Sequence, residues 1–227
     1  MPDVRPAAER FVLDGPAGGM EILLEQPAGP VTGIAFIAHP HPLYGGTLDN
    51  KVAATLARTF LAMGWVAVRP NFRGVGGSAG GHDNGRGETT DFLFLVDALP
   101  RLRPLLPVSA QALRVALAGF SFGSFVVANV ARELALQGRA AHALVLVGAA
   151  AGKWPMPAVD PATLVIHGEA DETIPLAAVL AWAGGCGVPV VVVPGADHFF
   201  HRRLTIIKRL VMQNLLGADR LDAGADE

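Results

Sequence analysis

Cysteine is nearly missing from this chain: Cys186 is the only one in 227 residues. A lone thiol cannot close an internal disulfide, so the fold must hold without covalent cross-links, and a reducing, cytoplasmic setting is expected. Charge of either sign is scarce as well. Charged residues make up 17% of the chain, and 18 Lys and Arg against 20 Asp and Glu leave a net charge of −2. No excess of either sign calls for nucleic acid or an anionic membrane surface as a partner. Long hydrophobic runs are also absent. Apolar stretches such as GIAFIA (33–38) and ALVLVGAAA (143–151) fall well short of the roughly 20 residues that a transmembrane helix needs. The N-terminal segment MPDVRPAAERFVLDG carries charges throughout and has no apolar centre, so no secretory signal is expected there.

What the chain does have is apolar mass. Hydrophobic residues make up 51% of it, and the mean hydropathy is +0.40, which describes one core-rich domain over 1–227. Short apolar runs at 20–26, 33–39, 65–71, 113–119, 143–149, 162–167 and 188–193 read as strands. Helices are expected at 50–63, 122–137 and 200–216, closed by Gly64, Gly138 and Gly217. This alternation predicts an α/β fold, a mostly parallel twisted sheet with helices on both faces. In such sheets ligands sit beyond the carboxyl ends of the strands. His39–Gly46, Asn71–Gly81, Ser121, Gly168–Asp171 and Ala196–His198 all follow strand ends.

Only four serines occur, and two of them stand in G-x-S-x-G, Ser78 and Ser121. Context separates the two. Ser121 lies between the apolar strand LRVALAG and the helix that opens at Phe122, the strand–turn–helix setting that exposes a nucleophilic hydroxyl. Ser78 sits in a glycine-rich loop. The competing reading of Ser121 is an ordinary helix cap. A serine nucleophile needs a base to take its proton, and an acid to orient that base. His198, just before the last helix, is the expected base. His201, expected in the first helical turn, is the weaker choice, His142 falls on the far edge, and His167 reads as a packed histidine. Asp171, at the end of the preceding strand, is the expected acid, although it could also cap a helix near Ile174. The sequence order is then Ser121, Asp171, His198.

Acyl transfer also needs N–H donors aimed at an oxyanion. Phe122 is expected to supply one. The loop His39-Pro40-His41-Pro42-Leu43-Tyr44-Gly45-Gly46 should supply the other, and its prolines leave His41, Leu43 or Tyr44; Leu43 is the choice made here. His39-x-His41 could instead be a metal pair, but no further ligands follow it, and no metal is expected. No dinucleotide or phosphate-binding signature is present, so no cofactor is expected either.

The motifs HPHPLYGG (39–46), NFRGVGGSAG (71–80), GFSFG (119–123), HGEAD (167–171) and GADHFF (195–200) resemble a bacterial subfamily of small α/β-hydrolases. That subfamily stands close to dienelactone-hydrolase-like and lid-less serine esterases. The resemblance implies the α/β-hydrolase fold and hydrolysis of carboxylic esters by Ser121, Asp171 and His198. In dienelactone-hydrolase-like relatives the loop donor sits two residues before the glycine, which points to Leu43. Those enzymes use a cysteine nucleophile, where this chain has serine. The link 151–161 is too short for a lid domain, so an open site is expected. Its walls would be Tyr44, Phe122, Trp154 and Phe199, with Phe122 and Phe199 also readable as core packing. Arg73 could meet a substrate carboxylate or tie its own loop down, and the second reading is preferred. A small-molecule ester is the expected partner. A strand edge such as 189–193, if it ends the sheet, could pair two copies. An acyltransferase or peptidase using the same residues, and a catalytically silent binding module, are the alternatives.

Overall fold

Strands buried on both sides need no polar alternation, yet their side chains still divide by pleat. The computed structural model describes residues 8–102 and 113–224. They form strands β1 (Ala8–Gly15), β2 (Gly18–Glu25), β3 (Gly33–Ala38), β4 (Trp65–Pro70), β5 (Arg114–Phe120), β6 (Ala143–Val147), β7 (Leu164–Gly168) and β8 (Val190–Val193). Helices are α1 (Lys51–Ala62), α2 (Arg86–Asp97), α3 (Leu99–Leu102), α4 (Phe122–Leu136), α5 (Leu176–Cys186) and α6 (Leu204–Gly224), with a 3₁₀ turn at Pro42–Tyr44. Along β3, Ile34, Phe36 and Ala38 join a core with α2, α4 and α5. Ala35 and Ile37 point the other way, into a core with α1 and α6. The sheet is therefore the middle of three layers.

Its strand order is β1-β2-β4-β3-β5-β6-β7-β8. The strands from β4 and β3 through β8 run parallel, while β1 and β2 add an antiparallel margin. This is the fold class expected, with β1 and β8 at the two edges. Between β6 and β7, residues 148–163 form turns and one isolated bridge, Ala151 to Trp154, without a helix. Among the described residues, no lid is inserted at that point over the carboxyl ends of the strands.

Several elements differ from expectation. No strand is expected ahead of 20–26, whereas residues 8–15 form an edge strand paired to β2; residues 1–7 lie outside the described residues. Helix α2 follows the glycine-rich segment and is held at its start by Glu88, whose carboxylate accepts from Gly85 N–H at 2.9 Å. The last helix begins at Leu204, because Phe200 (φ 53°) and Arg202 (φ 59°) take left-handed turns. It runs through Gly217 to Gly224 rather than stopping there. A glycine inside a helix costs only about 1 kcal/mol, which its neighbours can offset. No helix of the described residues is long and apolar enough to cross a membrane.

His39, at the end of β3, ties the front of the sheet together. Its Nε2 accepts the Phe72 N–H at 3.0 Å, so its Nδ1–H donates to Pro40 O at 2.7 Å. Both nitrogens are spent on backbone. Burial, opposed only by the Pro40 bond, pushes its pKa down to about 4. A ring whose folded pKa is depressed contributes stability above the unfolded value of about 6.5, and that stability is lost as pH falls through the folded one. About 3 kcal/mol of stability should therefore disappear between pH 6.5 and 4. Urea titrations across that range should show a shallower acid slope for His39→Gln, and equal slopes would refute the assignment.

Candidate active site

Ser121 is the only residue between β5 and α4, and it is not an ordinary cap. Its φ and ψ are 55° and −122°, and its side chain makes no capping bond to the helix. A capping serine sits in the extended region and gives its oxygen to the first turn. Here the hydroxyl instead lies 3.0 Å from His198 Nε2. The strained turn is fixed on all sides. Ser121 N–H donates to Val147 O at 2.9 Å. Ser124 Oγ donates to Ser121 O at 2.5 Å and accepts from Ala150 N–H at 3.1 Å. A Cβ on Gly123 would sit 2.5 Å from the carbonyl oxygens of Ala38 and His39. The glycine thus lets the helix start press against the end of β3.

Asp171 and His198 arrive from neighbouring strand ends. Ala170 N–H donates to Ala196 O at 2.9 Å and Glu169 N–H to Val193 O at 3.1 Å, which join the two loops. Asp171 Oδ2 lies 2.7 Å from His198 Nδ1. Its Oδ1 accepts from Thr173 N–H at 2.9 Å and Ile174 N–H at 2.7 Å. Asp171 therefore closes the 171–174 turn with one oxygen and meets His198 with the other, and it does not cap α5, whose N-cap is Pro175 without a side-chain cap bond. Burial would raise this carboxyl, but the bonds from His198 and Ile174 outweigh it and hold the pKa below the ordinary range. Asp171 is thus a carboxylate and can only accept, which puts the His198 proton on Nδ1 and leaves Nε2 free to take one from Ser121. Phe120 packs on the His198 ring at 4.9 Å.

The other polar residues are tied up elsewhere. Ser78 Oγ donates to Asn71 O and accepts from Glu21 N–H, both at 2.9 Å. His201 sits in a turn ahead of α6, exposed, with its Nδ1 2.6 Å from Asp197. Arg73 binds Asp91 through two 2.8 Å bonds and Gly87 O at 2.9 Å, so it holds its own loop.

A cleft of about 600 Å³ opens beside Ser121 and His198. Tyr44, Phe122, Trp154 and Phe199 all line it, as do Asn50, Lys153 and Thr173. Phe122 is fully buried behind Ser121, whereas Phe199 is 48% exposed and is not core. The sequence reading missed the last three polar residues. Asn50 shows only as the α1 cap, and nothing local marks Lys153 or Thr173.

Leu43 needs correcting. Its N–H donates to His41 Nδ1 at 3.2 Å, its side chain is 70% exposed, and it does not line the cleft. Tyr44 N–H is spent on His41 O at 3.2 Å. The His41 N–H has no acceptor among the described residues, and neither has that of Phe122. The 3₁₀ turn that opens at Pro42 folds the Leu43 amide back onto its own loop.

The crowding at the elbow gives a direct stability test. Gly123→Ala should lower stability by about 2 kcal/mol or more in chemical denaturation, because carbonyl backbone must move aside. Gly184, inside α5 with nothing within 4 Å, should gain a few tenths to about 1 kcal/mol as alanine. Equal effects at the two sites would contradict the packing described.

No family model matches the chain. Many solved structures do, among them two serine hydrolases that match over nearly all of it. One is an α/β serine hydrolase without a lid from Xanthomonas campestris, 32% identical, covering 92% of this chain and 93% of its own, with a TM-score of 0.82. The other is an α-β serine hydrolase homologue from Coxiella burnetii, 36% identical, covering 91% and 97%, with a TM-score of 0.75. A curated protein of Rickettsia prowazekii is 38% identical over 117 residues, which is 52% of this chain and 47% of that protein. The chain thus spans about half the length of that curated relative. With sequence identity and fold agreeing over the whole sheet, the chain belongs to the α/β serine hydrolases without a lid.

Proposed function

We propose that this chain hydrolyses small carboxylic esters or thioesters through an acyl-enzyme on Ser121. The observation that carries the reading is the unbroken line Ser121 Oγ, His198, Asp171, with spacings of 3.0 and 2.7 Å, opening on an uncovered cleft. His198 Nε2 takes the serine proton as Oγ attacks the ester carbonyl carbon. The carbonyl electrons move to oxygen, and the N–H groups of Phe122 and His41 stabilise that charge. As the tetrahedral intermediate collapses, the carbon–oxygen bond to the alcohol (carbon–sulfur in a thioester) breaks, and His198 hands the proton to the leaving group. Water then repeats the sequence on the acyl-enzyme, releases the acid and restores Ser121. Asp171 stays ionised throughout and stabilises the imidazolium.

The shape of the cleft supports short substrates. Its volume falls within the range of small-molecule pockets. Its apolar wall suits an acyl or alcohol group. The half-exposed Phe199 and largely exposed Tyr44 stand at its mouth without a covering domain.

Turnover of p-nitrophenyl esters from acetate to decanoate tests the reading. The wild type should favour the shorter acyl chains. Ser121→Ala should lose about 10⁴-fold or more in kcat, and Asp171→Asn about 10³ to 10⁴-fold with KM little changed. A folded wild type without turnover on any member of the series would instead point to a binding module.

A further inference from the structure

His167 is the other histidine at this end of the sheet, and the mechanism above does not use it. It lies on β7, fully buried, four residues before Asp171. Its Nε2 is 2.9 Å from Ile174 O, an acceptor that requires a proton on that nitrogen. The same Nε2 stands 3.5 Å from Asp171 Oδ2, the oxygen that receives His198. Nδ1, the other ring nitrogen, is buried and has no hydrogen-bond partner among the described residues. Buried polar atoms are nearly always paired, so the one bond this ring makes, through Nε2, carries its whole polar contribution.

The Nε2–H closes the 171–174 turn from below. Asp171 Oδ1 accepts from the N–H of Thr173 and of Ile174, and Ile174 returns its carbonyl to His167. The turn is therefore pinned at both ends of the Ile174 peptide. With Oδ1 committed to the turn, the carboxylate can rotate only by breaking these bonds, and Oδ2 is left facing His198. We propose that His167 is a positioning residue, whose Nε2–H locks the 171–174 turn so that Asp171 presents Oδ2 to His198.

Burial, the leading influence, lowers the pKa of the ring and keeps it neutral, with the nearby His198 adding to it and the Ile174 bond and the charge of Asp171 opposing. A neutral ring donates through Nε2 without competing as a cation for the Asp171 charge. The titratable groups acting on it are Asp171 and His198. Any catalytic consequence rests on the proposed reaction, but the positioning itself does not.

The test compares His167→Gln with His167→Asn. Glutamine places its amide N–H near the Nε2 position and can still reach Ile174 O; asparagine matches the orphaned Nδ1 side and cannot. Gln should keep kcat within about threefold of wild type. Asn should lose roughly 10- to 100-fold in kcat with KM little changed, and its kcat/KM should show the acid limb moved to lower pH. Proton NMR of the His198 Nδ1–H supplies a readout that needs no substrate. Its strongly downfield signal should persist in the wild type and the Gln variant and should broaden or move upfield in the Asn variant. Equal behaviour of the two folded variants, in the signal or in kcat, would overturn the proposal. A wild type that shows the downfield signal but turns over no ester would defeat the esterase reading while leaving the His167 comparison decidable by NMR.

Discussion

The carboxyl edge of the sheet is organised by how closely α4 approaches β3. Gly123 has no Cβ, so the first turn of the helix presses against the carbonyls of Ala38 and His39, and Gly119 lets β5 meet the backbone of that same turn at Gly123 and Ser124. At that approach Ser121 takes a strained positive φ (φ 55°, ψ −122°), and its hydroxyl makes no capping bond. The same contact brings the loop after β3 beside Ser121, where the amides of His41 and Phe122 have no acceptor among the described residues. Strain at Ser121, of order 1–3 kcal/mol in such conformations, is held by the bonds from Ser124 and to Val147.

Around that turn the neighbouring loops are arranged by backbone bonds more than by side-chain packing. The acid loop and the base loop are stitched to each other through Ala170 and Glu169. Asp171 divides its oxygens between its own turn and His198. His39 and His167 act in parallel ways, as buried neutral rings that fasten a loop backbone after a strand. Histidine suits this work because each ring offers a donor on one nitrogen and, where needed, an acceptor on the other. The result is a site preorganised before substrate arrives, which is where electrostatic catalysis gains most.

The fold was legible where apolar runs were long and glycine closed the helices, as at Gly64 and Gly138, both with positive φ. It was not legible at β1, whose exposed alternation at the sheet edge looks like a polar lead-in. Helix α2 was hidden for a related reason: its start lies in a glycine-rich stretch and depends on Glu88 reaching back to Gly85. Ser121, Asp171 and His198 stood out because each follows a strand end, and the structure brings them within hydrogen-bond distance. Leu43 could not be judged from sequence, since which amide of a loop points outward depends on a 3₁₀ turn and on a side chain, His41, that accepts a backbone N–H. Cleft residues such as Lys153 and Thr173 carry no local signal, because only the tertiary fold brings them to the nucleophile.

The covalent intermediate is the most direct point at which to test this account. The protein should be mixed with a p-nitrophenyl ester, quenched with acid within milliseconds to seconds, digested, and analysed by mass spectrometry. A transient acyl mass on the peptide containing Ser121, missing from Ser121→Ala, is the expected result. Ester turnover with the acyl group found on another residue, or with none trapped at any time, would contradict it.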